Sequence, residues 1–406
     1  MMLWLPRIQN AGDEEPSDSP ETSRKVNRIV SFARMRELCS TSFYAERSLG
    51  REVAHVSHST SNSELNVREA TDFDIDHVVS FHNQNYKDRR TPSQWLWQYK
   101  THNPDHVVFT VVEDEDRIVG TQGMIPIHLT FGVGTYLSGK SESSLLDPEY
   151  RGGKTFQELY DFAMSLCKAK GMCCVWGLTT AIEVWRRKLL FSVHTNTMYT
   201  AVSVLNLRPS VRTSCRYLYA YVRRHLSPHE KSAKRRRFSI EQHLRSYRDL
   251  DHLYQRLAAK HANLIYIRQD EDYFTWRISN NPNARYMTHF LYENDLLQSY
   301  CYINTANQST AYLTDFTFVD DDAGSYLLQE ALEKLQNMNV VWVSFLGNAK
   351  NPLISTVFNL LKKFGFIKRR SPLAVVIKNI NCEEEKTIYD VRNWYLNGLW
   401  TEGYTW

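Results

Sequence analysis

One pattern occurs twice in this chain, in the same order, and it restricts the fold more than any other feature. Residues 97–104 (WQYKTHNP) match residues 276–282 (WRISNNP) with one residue fewer, and Trp95 lines up with Phe274. A hairpin pattern follows each, at 111–120 and at 290–298. Both hairpins lead into an apolar strand, an amphipathic helix and a second apolar strand. These fall at 136–146, 155–170 and 172–177 in the first half, and at 312–318, 325–336 and 340–346 in the second. A series repeated in this way predicts two copies of one mixed α/β unit.

The two copies differ where the strand meets the helix. In the first, residues 145–156 read LLDPEYRGGKTF, and the apolar positions that follow (Leu159, Tyr160, Ala163, Leu166, Cys167) have helical spacing. A Gly-bearing loop feeding a helix leaves backbone N–H groups unpaired. With the helix dipole and the side chains of Arg151 and Lys154, they make an anion site. The second copy has Asp320, Asp321 and Asp322 at this place. Three carboxylates repel a pyrophosphate; they suit either a bridging metal or a solvated turn that caps the helix.

The strand, the Arg151-Gly152-Gly153 loop and the helix resemble the pyrophosphate loop of the GNAT superfamily, the acyl-CoA-dependent N-acyltransferases. Residues 67–76 (VREATDFDID) resemble the first strand and helix of such a domain, with Phe73 among the helix's apolar positions. Residues 360–366 (LLKKFGF) resemble its last helix and following strand. The resemblance implies an α/β fold with mixed sheets (α+β), built from two tandem GNAT-like domains. The expected divisions are a disordered tail at 1–63, an N-acetyltransferase domain at 64–222 and a basic linker at 223–237. A second, degenerate GNAT-like domain at 238–380 and an aromatic tail at 381–406 follow. Closing strands of the first domain are expected before Arg208 and around 214–222. A tail so rich in rings is expected to pack onto a domain or close over a pocket.

The resemblance also assigns roles. Acetyl-CoA or another acyl-CoA is the cosubstrate and no metal is required. Arg151, Gly152, Gly153, Lys154, Thr155 and Phe156 form the pyrophosphate loop, although Lys154 and Phe156 stand where the family has Gly and Gly or Ala. Lys154 can bind phosphate by charge or crowd it. Leu145 or Leu146 supplies the backbone N–H for the thioester oxyanion. Thr179 either touches pantetheine or caps the next turn. Glu142, nine residues before Arg151, stands where amino-sugar acetyltransferases of the superfamily carry their base. Burial there would raise its pKa; the other reading has it facing solvent or paired with Lys140. Trp185 replaces the Tyr that often protonates the leaving thiolate, and an indole is no acid near neutrality.

Composition narrows the partners. The chain is 42% apolar and 23% charged, with a net charge of +4, which is too small to mark a dedicated nucleic-acid binder. Seven scattered Cys without a CxxC pair fit a reducing compartment better than a disulfide frame or a zinc site. No apolar run approaches the roughly 18 residues that span a bilayer, so no membrane partner is expected and the location is read as cytoplasmic, or nuclear. The leading reading is an N-acyltransferase moving an acetyl or other acyl group to a small-molecule or peptide amine. The alternatives are a non-catalytic GNAT-like binding module and a tRNA-dependent aminoacyl transferase. Acceptor and oligomeric state stay open.

Overall fold

A computed structural model describes residues 65–86, 89–206, 238–307 and 309–401. The expected tail at 1–63, the strand at 214–222 and the linker at 223–237 lie outside the described residues.

The first half opens with β1 (Asn66–Glu69), α1 (Ile75–Asn85) and α2 (Pro92–Lys100). Thr91 and Gln94 form a capping box at the head of α2, with Pro92 in its first turn, where a missing N–H costs nothing. Next come β2 (Val108–Asp114), β3 (Arg117–Phe131), β4 (Gly134–Leu146), α3 (Thr155–Ala169) and β5 (Cys174–Thr179). A π-helical turn, Val184–Lys188, leads to β6 (Ser192–His194) and β7 (Met198–Val204). The second half runs β8 (Phe238–Glu241), α4 (Tyr247–Lys260), β9 (Tyr266–Ile267) and α5 (Glu271–Phe274). It continues with β10 (Tyr286–Glu293), β11 (Leu296–Asn304), β12 (Thr310–Phe318), α6 (Asp321–Asn337) and β13 (Trp342–Asn348). It closes with α7 (Pro352–Lys363), β14 (Ile367–Arg370), β15 (Ala374–Asn379) and α8 (Glu385–Tyr389).

These strands form two mixed sheets of one design. The first has the order β1-β2-β3-β4-β5-β15-β6, with β9 added beside β3; the second is β8-β10-β11-β12-β13-β7-β14. Two neighbouring pairs are parallel, β4 with β5 and β12 with β13. The expected division at 222–238 separates the sequence but not the sheets. Strand β7 of the first half lies between β13 and β14, and β15 of the second lies between β5 and β6. Each sheet is completed by the other half's last described strand.

The repeated tryptophans meet at the join. Trp97 and Trp276 stack with centroids 5.5 Å apart. The Trp97 Nε1–H donates to the carbonyl of Trp276 at 3.0 Å, and the Trp276 Nε1–H donates to the carbonyl of Trp97 at 2.8 Å. This reciprocity is that of a two-fold contact, here made within one chain.

Helix α3 buries Leu159, Tyr160, Ala163 and Cys167 against one face of the first sheet, where Tyr160 joins Met124, Val175, Trp185, Phe191 and Val376 in one apolar cluster. Helices α1 and α2 cover the opposite face with Val78, Val79, Phe81, Trp95 and Tyr99. Phe73 does not join them: it is 95% exposed on a 3-10 turn ahead of α1. No described helix is long and apolar enough to cross a membrane.

Candidate functional site

Strands β4 and β5 pair at two positions only, Gly139 with Val175 and Lys140 with Trp176. Beyond them β4 follows β3 to Leu146 and β5 follows β15 to Thr179, so a wedge opens toward the carboxyl ends of both. A bulge on β4 sharpens the parting. Ser143 has φ 50°, and the register slips between Thr121 opposite Leu145 and Gly123 opposite Glu142. Gln122 fills the slip. Its amide donates to the Gly123 carbonyl at 2.8 Å and to Ser141 Oγ at 3.1 Å, and its Oε1 accepts from Ser144 Oγ. Leu145 and Leu146 are buried, so what they can offer the wedge is their main chain.

Residues 147–154 lead from the wedge to α3. Asp147 caps the turn Pro148–Tyr150, and the Arg151 Nε–H donates to the carbonyl of Leu146 at 2.9 Å, tying the loop to the strand end. Gly152 has φ +98°, a conformation that a side chain would strain. Lys154 has φ −88°, so no glycine is needed there and its side chain is free to stay in solvent. Among the described residues, no group accepts from the backbone N–H groups of Gly152 through Gln157. They sit at the head of α3 with Arg151 and Lys154 around them, an arrangement suited to a multiply charged anion. Thr155 starts the helix half-buried. Phe156 turns inward, bordering the apolar clusters on both sides of Tyr160 and Leu159.

The Thr179 hydroxyl accepts from the Ala181 N–H at 3.0 Å, capping the turn that follows β5. Trp185 is buried edge-on to Tyr160 and Phe191. The hydroxyl beside it belongs to Tyr160, which donates to Ser141 Oγ at 3.1 Å. Burial holds this phenol well above its usual range, which makes it a weak proton donor.

Glu142 lies on the other face of β4, toward α1 and α2. It forms an ion pair with Lys140, and both side chains are only 7% exposed. Its cross-strand partner Gly123 has no room for a side chain, because a Cβ there would stand 2.7 Å from the Tyr99 hydroxyl. That hydroxyl donates to Ser143 Oγ at 2.8 Å, and Arg90 Nη1 donates to the same oxygen at 3.0 Å. Sequence reasoning did not single out Tyr99, Arg90 or Ser143 for this site; a lone Arg in a loop and a Tyr within a helix carry no signal of it. Trp176, level with Lys140, packs against Trp400 and Trp394, so the aromatic tail closes over this face.

The second sheet has the same wedge, filled. Strands β12 and β13 pair from Thr310 to Leu313, and beyond that the tail enters. Asn397 bridges to Gly347, the Asn348 N–H donates to the carbonyl of Leu396 at 2.9 Å, and the Tyr395 hydroxyl donates to the carbonyl of Phe316 at 3.0 Å. Only Val319 and Asp320 separate β12 from α6, and Asp320 caps that helix through the Ala323 N–H at 2.9 Å. Asp315 faces Tyr302 three positions in from the end pair Ser299–Phe318; Glu142 faces Gly123, three positions in from Gly120 on β3, while the bulge puts Glu142 itself four before Leu146 on β4. Asp315 accepts from Tyr300 at 2.8 Å, Gln269 at 3.2 Å and Asn397 at 2.7 Å. Burial nevertheless pushes it up to about 6. No described group of His, Cys, Asp and Glu side chains is arranged to hold a metal.

A parted parallel strand pair, a glycine-bearing loop and a helix with open amides define the acyl-CoA N-acyltransferase fold. The family model described as an acetyltransferase (GNAT) domain matches residues 66–188. Residues 66–188 thus carry a GNAT-type domain. The chain's fold is similar to that of a conserved Enterococcus faecalis V583 protein described as a probable N-acyltransferase. That likeness has TM-score 0.54 and 9% identity, over 78% of this chain and 73% of that one. It is also similar to GCN5-related N-acetyltransferases from Kribbella flavida (TM-score 0.53, 12% identity, 78% and 71% covered) and Anabaena variabilis ATCC 29413 (0.51, 12%, 78% and 72%). No curated protein sequence matches the chain.

Proposed function

We propose that the first wedge binds acetyl-CoA, or another acyl-CoA, and that the chain transfers the acyl group to an amine. The observation that carries this is the run of open amides from Gly152 to Gln157 beside an unfilled wedge. Bound acyl-CoA supplies an acyl group activated as a thioester. The loop amides, Arg151 and Lys154 hold its pyrophosphate, and the main chain of Leu145 or Leu146 donates to the developing oxyanion. Glu142 accepts the proton of the incoming ammonium. Lys140 is its ion-pair partner at this place. The second half is a degenerate copy whose wedge the tail occupies, and it takes no CoA.

Calorimetric titration of the full chain with acetyl-CoA tests this: one site per chain is expected, and no binding, or two equivalent sites, overturns it. A second reading, a binding module without turnover, is favoured by Trp185, which leaves no side-chain acid in the family's usual place. Release of CoA thiol in the presence of an amine panel separates the two.

A further inference from the structure

Thiols from two separate segments meet at the closed end of the first sheet, away from the wedge. Cys173 stands just before β5, tied to β4 by its N–H on the Leu137 carbonyl at 2.8 Å, and Cys174 begins β5. Cys382 follows β15, the strand that the second half inserts beside β5. The carbonyl of Cys173 accepts from the N–H groups of Ile380 and Asn381 at 2.9 and 3.0 Å. Asn379 then folds the chain back: its Oδ1 accepts from the Cys382 N–H at 2.8 Å, and its Nδ2 donates to the Cys382 carbonyl at 3.1 Å. The Cys173 and Cys174 sulfurs are 3.6 Å apart. Hydrogen bonding from the Cys174 thiol, helped by that of Cys382, pulls the Cys173 thiol below its usual range against the effect of burial. Cys382 is pushed up to about 11, chiefly by burial. The three thiols are not arranged to hold a metal.

We infer that Cys173 and Cys382 are a redox-sensitive pair, joined by a disulfide when a hydroperoxide reaches them, so that β15 becomes covalently tied to the half into which it inserts. Geometry chooses the partner. Adjacent Cα atoms are about 3.8 Å apart, short of the roughly 4.4 Å at which unstrained disulfides begin, so Cys174 is near Cys173 but poorly placed to bridge to it. Cys382 comes from another segment and is under no such restriction. Cys173 is 7% and Cys382 6% exposed, which favours an oxidant as small as hydrogen peroxide. The Cys173 thiolate attacks one peroxide oxygen: an S–O bond forms, the O–O bond breaks, and hydroxide leaves as water with the proton that Cys173 gave up. The Cys382 sulfur then attacks the sulfenic sulfur. The S–S bond forms, the S–O bond breaks, and the departing hydroxide takes the Cys382 proton as a second water. The electron pair lost by the thiols is the pair gained by the peroxide.

The test treats the full-length protein with hydrogen peroxide, blocks remaining thiols with an alkylating agent, and maps its peptides by mass spectrometry without reduction. A peptide pair joined through Cys173 and Cys382 is expected, and dithiothreitol should abolish it. Cys174→Ala should still form the pair, but more slowly, because Cys173 loses a donor that favours its thiolate. Oxidised wild type should unfold at higher urea than reduced wild type, and Cys382→Ser should remove that difference. A Cys173–Cys174 linkage, a sulfinic acid at Cys173 without a crosslink, or thiols left unmodified by excess peroxide would overturn the inference. So would a urea midpoint of the oxidised protein at or below that of the reduced one, because the folded sheet would then not accept the bond.

Discussion

In the first sheet, residues 147–154 separate the wedge strand from its helix, and no described segment pairs into the gap between β4 and β5 beyond Lys140 and Trp176. In the second, two residues make the same connection, and the chain's own tail pairs into the gap at Gly347 and Asn348. The carboxylates near the ends of β4 and β12 follow suit. Glu142 is paired with a cation, Lys140, whereas Asp315 is fixed by neutral donors, one of them from the tail. One topology thus holds an unfilled wedge in the first sheet and, in the second, a wedge that the tail has made part of the structure. The difference lies in loop length and in what fills the wedge, while strand order is kept.

The comparison breaks most readily at the loop. A Cβ at Gly153 would meet nothing within 4 Å, so Gly153→Glu should fold normally and place a carboxylate among the open amides. Acetyl-CoA affinity should fall by about a hundredfold or more, the size expected when charge complementarity is reversed. Unchanged affinity in calorimetry would end the assignment of the loop. Glu142→Gln should spare CoA binding and slow turnover of the true acceptor by about a hundred- to ten-thousandfold. Turnover within a factor of about two would place the base elsewhere.

Asp315 gives the second sheet a pH signature of its own. Its folded value, about 6, lies above the ordinary 3.8. Stability from this group is complete below the unfolded value and drains away as pH rises to the folded one. Between about pH 4 and pH 7, wild type should lose about 3 kcal/mol relative to Asp315→Asn, as read from urea unfolding. Parallel pH profiles for the two proteins would show that the buried carboxylate is neutral throughout or compensated. The smallest effect concerns the two-fold itself: Trp97→Phe and Trp276→Phe each remove one of two reciprocal N–H donors and should cost about 1 kcal/mol apiece. Markedly unequal costs would show that the pair is symmetric in shape but not in energy.

Much of this was legible in the sequence. Helical spacing after Phe156 located α3, and the repeat at 97–104 and 276–282 announced two related halves. What no local pattern could show was partner choice. Residues 198–204 read only as an apolar strand, and nothing in them says that their neighbours are β13 and β14. The same holds for Asp315, an ordinary polar residue in a strand until Tyr300, Gln269 and Asn397 converge on it from three separate segments. The tail's aromatic content signalled burial, and the wedge it enters became apparent only when both sheets stood side by side.

The exchange of last strands sets a schedule for the chain as it is made. The space between β5 and β6 has to wait for β15, which leaves the ribosome roughly ten to forty seconds after β6 at ordinary elongation rates. During that interval two strand edges face the cell unpaired, a state that invites capture by other chains. A fragment ending before residue 374 keeps that gap for good, so neither half can serve as a stand-alone protein. Closure of the two sheets is thus a single, late and mutual act.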